Sequence, residues 1–177
     1  MPEHPTDDAP REAKRRSTYD RALDMLEARS RGVAELRRLL VRKGESEDEV
    51  DAAIERLRAN GLLDDANFAR QLTRSKALGA GQSRRRIAQE LGRRGVDRTT
   101  ASEAIEQVFE DEEIDEAATV ERVARKKLRT LAGADALTVR RRLYAYLARR
   151  GYDIEAINRV VSSLGAKGAD EAEEVSE

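Results

Sequence analysis

A basic corner recurs three times in this chain: Arg42-Lys43-Gly44, Arg93-Arg94-Gly95 and Arg149-Arg150-Gly151, with the glycines 51 and 56 residues apart. Apolar residues hold fixed places around each glycine. Leu36, Ile87 and Leu143 stand eight residues before it, and Leu40, Leu91 and Leu147 stand four before. Val50, Ala101 and Ile157 follow by six, Ile54, Ile105 and Val161 by ten, and Leu57, Val108 and Leu164 by thirteen. Steps of four and three residues put one apolar stripe on a helix before the glycine and another on a helix after it. Glycine suits the left-handed residue that ends a helix. Two residues later comes a capping type, Ser46, Asp97 or Asp153, and Ser46 with Glu49 has capping-box spacing. The repeated unit is helix, tight turn, helix.

Each pair is preceded by a further helix: about Thr18–Arg29, about Asp65–Leu78 after the cap Asp64, and about Asp115–Leu131. Their inward residues are Tyr19, Ala22, Leu23 and Leu26, then Phe68 stapled to Leu63, then Val120, Val123, Ala124 and Leu128. All three prolines fall in the first ten residues and no period-2 alternation is sustained, so the fold class is all-α. The expected organisation is three tandem three-helix repeats, 17–60, 62–110 and 114–164, between a disordered tail 1–16 and an acidic disordered tail 165–177. Repeats this small share surface with their neighbours. The expectation is an elongated, bent rod on the order of 60–70 Å long.

Composition narrows the function. There is no Cys and one His, His4, in the tail, which excludes thiolate chemistry, imidazole acid–base catalysis and multi-His metal sites. No phosphate-binding glycine loop or zinc-protease motif occurs. Gly79-Ala80-Gly81 reads as a helix joint, Asp64-Asp65 as a cap with a first-turn acid, and the acidic run 111–116 as an inter-repeat loop without an EF-hand pattern. No enzyme, cofactor or metal is expected. No apolar run approaches a membrane span and the start MPEHPTDDAP has no signal-peptide core, so a cytoplasmic protein with no membrane partner is expected.

Charged residues make up 39% of the chain yet the net charge is −1. The charges are segregated. Residues 117–164 carry 11 basic and 4 acidic groups, a net of +7, while 165–177 carry a net of −4. Arg84-Arg85-Arg86 and Arg140-Arg141-Arg142 occupy equivalent places at the start of the middle helix of repeats two and three, and Arg93-Arg94 and Arg149-Arg150 at its end. Arginines at a helix end offset the dipole, whereas three at its start oppose it, so the triplets gain something outside their own helix. These residues are the candidate partner-binding set, with Tyr144 as the plausible stacking residue. Tyr146 matches Leu39 of repeat one and reads as core. Arginine forks suit phosphate and carboxylate alike, so nucleic acid and an acidic protein surface both stay open as partners. A DNA contact would be directed at the backbone, single- or double-stranded, and salt-sensitive.

The string Arg31 to Gly44 (RGVAELRRLLVRKG), followed by Val50, Ile54, Leu57 and Gly61-Leu62-Leu63-Asp64-Asp65-Ala66-Asn67-Phe68-Ala69-Arg70, resembles the signature of RecX proteins, bacterial regulators of the recombinase RecA. Arg86-Ile87, Glu90-Leu91 and Arg94-Gly95-Val96-Asp97 resemble the family's second block, and the likeness spans about 18–164, more loosely in the third repeat. Gly32 stands where the family often has a Ser cap. The resemblance implies three helical repeats and a non-enzymatic role, and a monomer is expected. The protein would bind the RecA–DNA filament and suppress ATP hydrolysis, strand exchange and coprotease activity. A general DNA-binding helical repeat that competes for single strands is the alternative, and a protein scaffold that never touches DNA is a third reading.

Overall fold

The computed structural model describes residues 16–174, with side-chain environments through 164. Among these residues it has nine α-helices and no strand: α1 Thr18–Ala28, α2 Val33–Arg42, α3 Glu47–Ala59, α4 Asp65–Arg74, α5 Arg84–Arg93, α6 Arg98–Asp111, α7 Glu116–Arg129, α8 Ala136–Arg149 and α9 Ile154–Glu174. One π-helical turn, Ser75–Gly79, follows α4, where the sequence pattern predicts uninterrupted helix, and buries Ala77. The three helix triplets follow the three sequence repeats.

The helix starts are capped as their sequences require. Ser17 with Asp20 and Ser46 with Glu49 form capping boxes, and Asp64, Ser83, Asp97, Asp115 and Asp135 each accept a backbone N–H with their side chains. Gly32 caps α2 with no side-chain bond. The repeated glycines close the middle helices at φ +91° (Gly44), +85° (Gly95) and +90° (Gly151). After α2 and α5 the closure is a Schellman motif: Glu45 N–H donates to the Leu40 carbonyl at 3.3 Å and Val96 N–H to the Leu91 carbonyl at 3.1 Å. α6 ends the same way with Glu113 in the left-handed position at φ +47°.

Two compact units divide the chain between Leu63 and Asp64. The first is built on α1–α3 around Ala22, Leu36, Leu40, Val50, Ile54, Leu57 and Leu63. Burying one leucine of this kind contributes about 1.5–3 kcal/mol. Leu63, expected as a staple for Phe68, belongs to this core, and Phe68 to a core of the second unit. The first unit also buries the carboxylate of Glu35, paired with Arg29, and that of Glu45, paired with Arg21.

The second unit holds repeats two and three, each with its own apolar cluster. Phe68, Ile87, Leu91, Ile105 and Phe109 anchor one, and Val120, Leu143, Leu147, Tyr152 and Ile157 the other. Two sequence expectations need correction here. α8 begins at Ala136, capped by Asp135, so Arg140–Arg142 lie in its second turn and do not face the helix N-terminus as Arg84–Arg86 do. α9 continues to Glu174, past the expected end at 164, and six of residues 165–174 are Ala or Glu, good helix formers. The expected tail residues 1–15 and 175–177 lie outside the described residues.

Candidate functional site

The candidate arginines sort into two groups by what they touch. The first group holds repeats two and three together. Arg84 lays its guanidinium 4.0 Å over the Phe109 ring, and its Nε is 3.8 Å from Glu116 Oε2 at the start of α7. The Arg84 backbone N–H donates to the other Glu116 oxygen at 3.2 Å, so a carboxylate offsets the positive end of α5. Arg85 Nε donates to the Gly151 carbonyl at 3.1 Å. Arg150 lies 3.8 Å over the Tyr146 ring and donates from Nε to the Ala80 carbonyl at 3.1 Å. Arg86 is half-buried beside Gly151, with its Nε buried and unpartnered.

Main-chain groups complete this seam. Ser83 N–H donates to the Arg150 carbonyl at 3.0 Å, and the Tyr152 hydroxyl donates to the Gly81 carbonyl at 3.0 Å. Burial, reinforced by the negative charge of Glu116, pushes the Tyr152 phenol up to about 12. The backbones approach too closely for side chains: a Cβ on Gly151 would sit 2.5 Å from Arg86 Cβ and Ser83 Oγ, and one on Gly81 would collide with Val123 Cγ2. The seam thus relies on arginine and tyrosine hydrogen bonds to carbonyls, while the two apolar cores stay separate. Its sequence signal was partial. Ser83 is a capping type directly before a helix, but no pattern says that the carbonyls of 80, 81 and 151 accept.

The second group faces outward. Among the described residues, Arg93, Arg140, Arg141, Arg142 and Arg149 are exposed, with no hydrogen-bond or ion-pair partner. Arg94 is intermediate, 3.4 Å from Glu90 and 5.9 Å over Phe68. Burial would raise Glu90, but the hydrogen bonds and charges of Lys76 and Arg94 outweigh it and hold the carboxyl below its usual range. Tyr146 is half-buried against the third core as expected, and Tyr144 is 36% exposed. The last turn of α7 adds cations that the corner pattern passed over, Lys126, Lys127 and Arg129, visible in the sequence as KKLR. The outward arginines therefore concentrate on α8, in the repeat with net charge +7.

The described residues contain no cluster of three or more His, Cys, Asp or Glu able to hold a metal ion, and no helix long and apolar enough to cross a membrane.

Family models match the chain in three consecutive blocks: the RecX first three-helix domain over 19–57, the second over 64–105 and the third over 113–161. It is 41% identical over 148 residues to the regulatory protein RecX of Mycobacterium avium (strain 104), covering 82% of this chain and 83% of that protein. A regulatory protein RecX from Pelodictyon phaeoclathratiforme is 34% identical over 152 residues, covering 86% and 91%. The crystal structure of RecX from Lactobacillus salivarius superposes with a TM-score of 0.65 at 19% identity, covering 84% of this chain and 95% of that one. A second crystal structure of a regulatory protein RecX gives 0.66 at 21% identity, covering 81% and 70%. Matched along three domains and over four fifths of its length, the chain belongs to the RecX family of regulatory proteins.

Proposed function

We propose that this protein binds the RecA–DNA filament as a cytoplasmic monomer and lowers RecA ATPase, strand-exchange and coprotease activity by occupying filament sites, without catalysis of its own. The observation that carries this reading is the set of exposed, unpartnered arginines on α8 in the most basic repeat. Four such cations gain little from the fold they sit on, and a polyanionic partner supplies what they lack. Arg84, Arg85 and Arg150 act differently in this reading: they hold repeat three at a set angle to repeat two, which presents α8.

The test is the single-strand-dependent ATPase of the cognate recombinase, with this protein well below one per protomer and DNA in excess. Inhibition at that ratio supports a filament-directed regulator, because so few molecules cannot sequester the DNA. The exposed Tyr144 beside Arg140 and Arg141 favours a second reading, competition for single strands through stacking. It predicts inhibition only near stoichiometric coverage, relieved by added DNA.

A further inference from the structure

The exposed surface of α8 is two surfaces of different chemistry. At 3.6 residues per turn, Leu137, Arg141, Tyr144 and Ala148 share one stripe, and Arg142 and Arg149 lie on another edge about 120° around the helix. The first stripe is apolar as well as cationic. Leu137 is 78% exposed and Tyr144 36%, and Tyr144 opens onto a groove of about 600 Å³ that also meets Ala148, Arg85 and Ile154, itself 63% exposed. The second edge offers only charge.

We propose that the Leu137–Arg141–Tyr144 stripe docks an acidic, aliphatic segment of a protein partner, and that the Arg142–Arg149 edge contacts nucleic-acid phosphate. This rests on the filament reading above and assigns its two ligands to separate faces. Aliphatic side chains as exposed as Leu137 and Ile154 gain from burial against other aliphatic groups and gain nothing from a sugar–phosphate strand. The unpartnered Arg141 in the middle of the stripe calls for a carboxylate. Asp153, which caps α9 through the Ala156 N–H at 2.7 Å, and Glu155 border the far side of the groove, so the partner's acids lie toward α8. A second copy of this chain fits poorly, because a two-fold pairing would set the stripe's arginines against each other.

The experiment uses the full chain in three forms: unsubstituted, Leu137→Ala/Tyr144→Ala, and Arg142→Glu/Arg149→Glu. Each is measured for retention on a single-stranded oligonucleotide across a salt series, and for co-sedimentation with recombinase filament on that DNA. Far-UV circular dichroism confirms equal helicity. The apolar pair lowers filament affinity about tenfold, an interface-anchor effect, and leaves the DNA salt slope unchanged. The charge pair lowers the log–log salt slope by roughly 1.4, two single-strand phosphate contacts at about 0.7 each. A photoreactive p-benzoylphenylalanine in place of Leu137 crosslinks to recombinase. If it crosslinks to DNA or to a second copy, or if the apolar pair weakens DNA retention as much as the charge pair does, the division of faces is wrong while the filament reading stands. If the unsubstituted chain fails to sediment with filament, the filament reading falls and takes this proposal with it.

Discussion

Arg84-Arg85-Arg86 and Arg140-Arg141-Arg142 stand at the same distance before their corner glycines, and their surroundings differ completely. The first triplet opens α5 at the seam, where Phe109, Glu116 and the Gly151 carbonyl engage Arg84 and Arg85. The second sits one turn inside a longer helix, exposed and unpartnered. In repeat one the same register reads Val33-Ala34-Glu35, and Glu35 is buried against Arg29. The corner glycines differ in the same way: Gly44 has open space around it, while Gly151 is pressed against α5. A repeat can thus keep its internal geometry while its outer positions are assigned to a seam or to a solvent face.

The largest expected effect separates the triplets by function. Charge reversal of Arg140, Arg141 and Arg142 to Glu should abolish detectable filament co-sedimentation while moving the urea midpoint little, since exposed substitutions away from packing features usually stay within about 0.5 kcal/mol each. Retained binding would mean that the outward triplet is only a solvated face. Next come the corner glycines. Gly44→Ala should cost about 1–2 kcal/mol for the left-handed backbone alone. Gly151→Ala should cost about 1–3 kcal/mol more, because its Cβ also overlaps Arg86 and Ser83. Equal losses on denaturation would show that the seam yields without strain.

Arg85→Ala should lose about 0.5–1.5 kcal/mol, because its bond to the Gly151 carbonyl is partly open to solvent, and Arg141→Ala almost nothing. Tyr152→Phe should cost about 1–3 kcal/mol by leaving the Gly81 carbonyl without its partner. It should also delete a phenolate step near pH 12 from an ultraviolet titration. The sign follows from the raised value. The unfolded chain releases this proton near 10 and the folded one near 12, so the phenol's contribution holds below 10 and is lost between the two. The smallest effect lies on the acid side. Glu90 occupies the register of Tyr146. Its lowered pKa makes its contribution full above the ordinary 4.5, and that contribution is lost as pH falls through the folded value. The Glu90 side-chain NMR signals should therefore titrate below the ordinary carboxylate range; titration at the ordinary 4.5 would show that the pairs with Lys76 and Arg94 add no local stability.

Within each repeat, the fold was legible because its causes are local. Stripes at 3.6-residue spacing, Ser and Asp caps, and glycines at left-handed turns placed α2, α3, α5 and α6 and their buried leucines directly. The start of α8 was misplaced because the triplet's register was carried over from α5, while Asp135 offered a cap one turn earlier. The site was legible as a charge pattern and not as an assignment: nothing in the string RRR says which copy is free.

The sequence by itself determined the three helical repeats, the glycine corners between their helices and the basic character of the last repeat. Only the tertiary structure decided which arginines are engaged. The physical reason is that periodicity and capping act over four or five residues, whereas the acceptors for Arg85, Arg150 and Tyr152 are main-chain carbonyls 66, 70 and 71 residues away. Every residue carries such a carbonyl, and only the packing of repeat three on repeat two brings those of Ala80, Gly81 and Gly151 within reach of a donor.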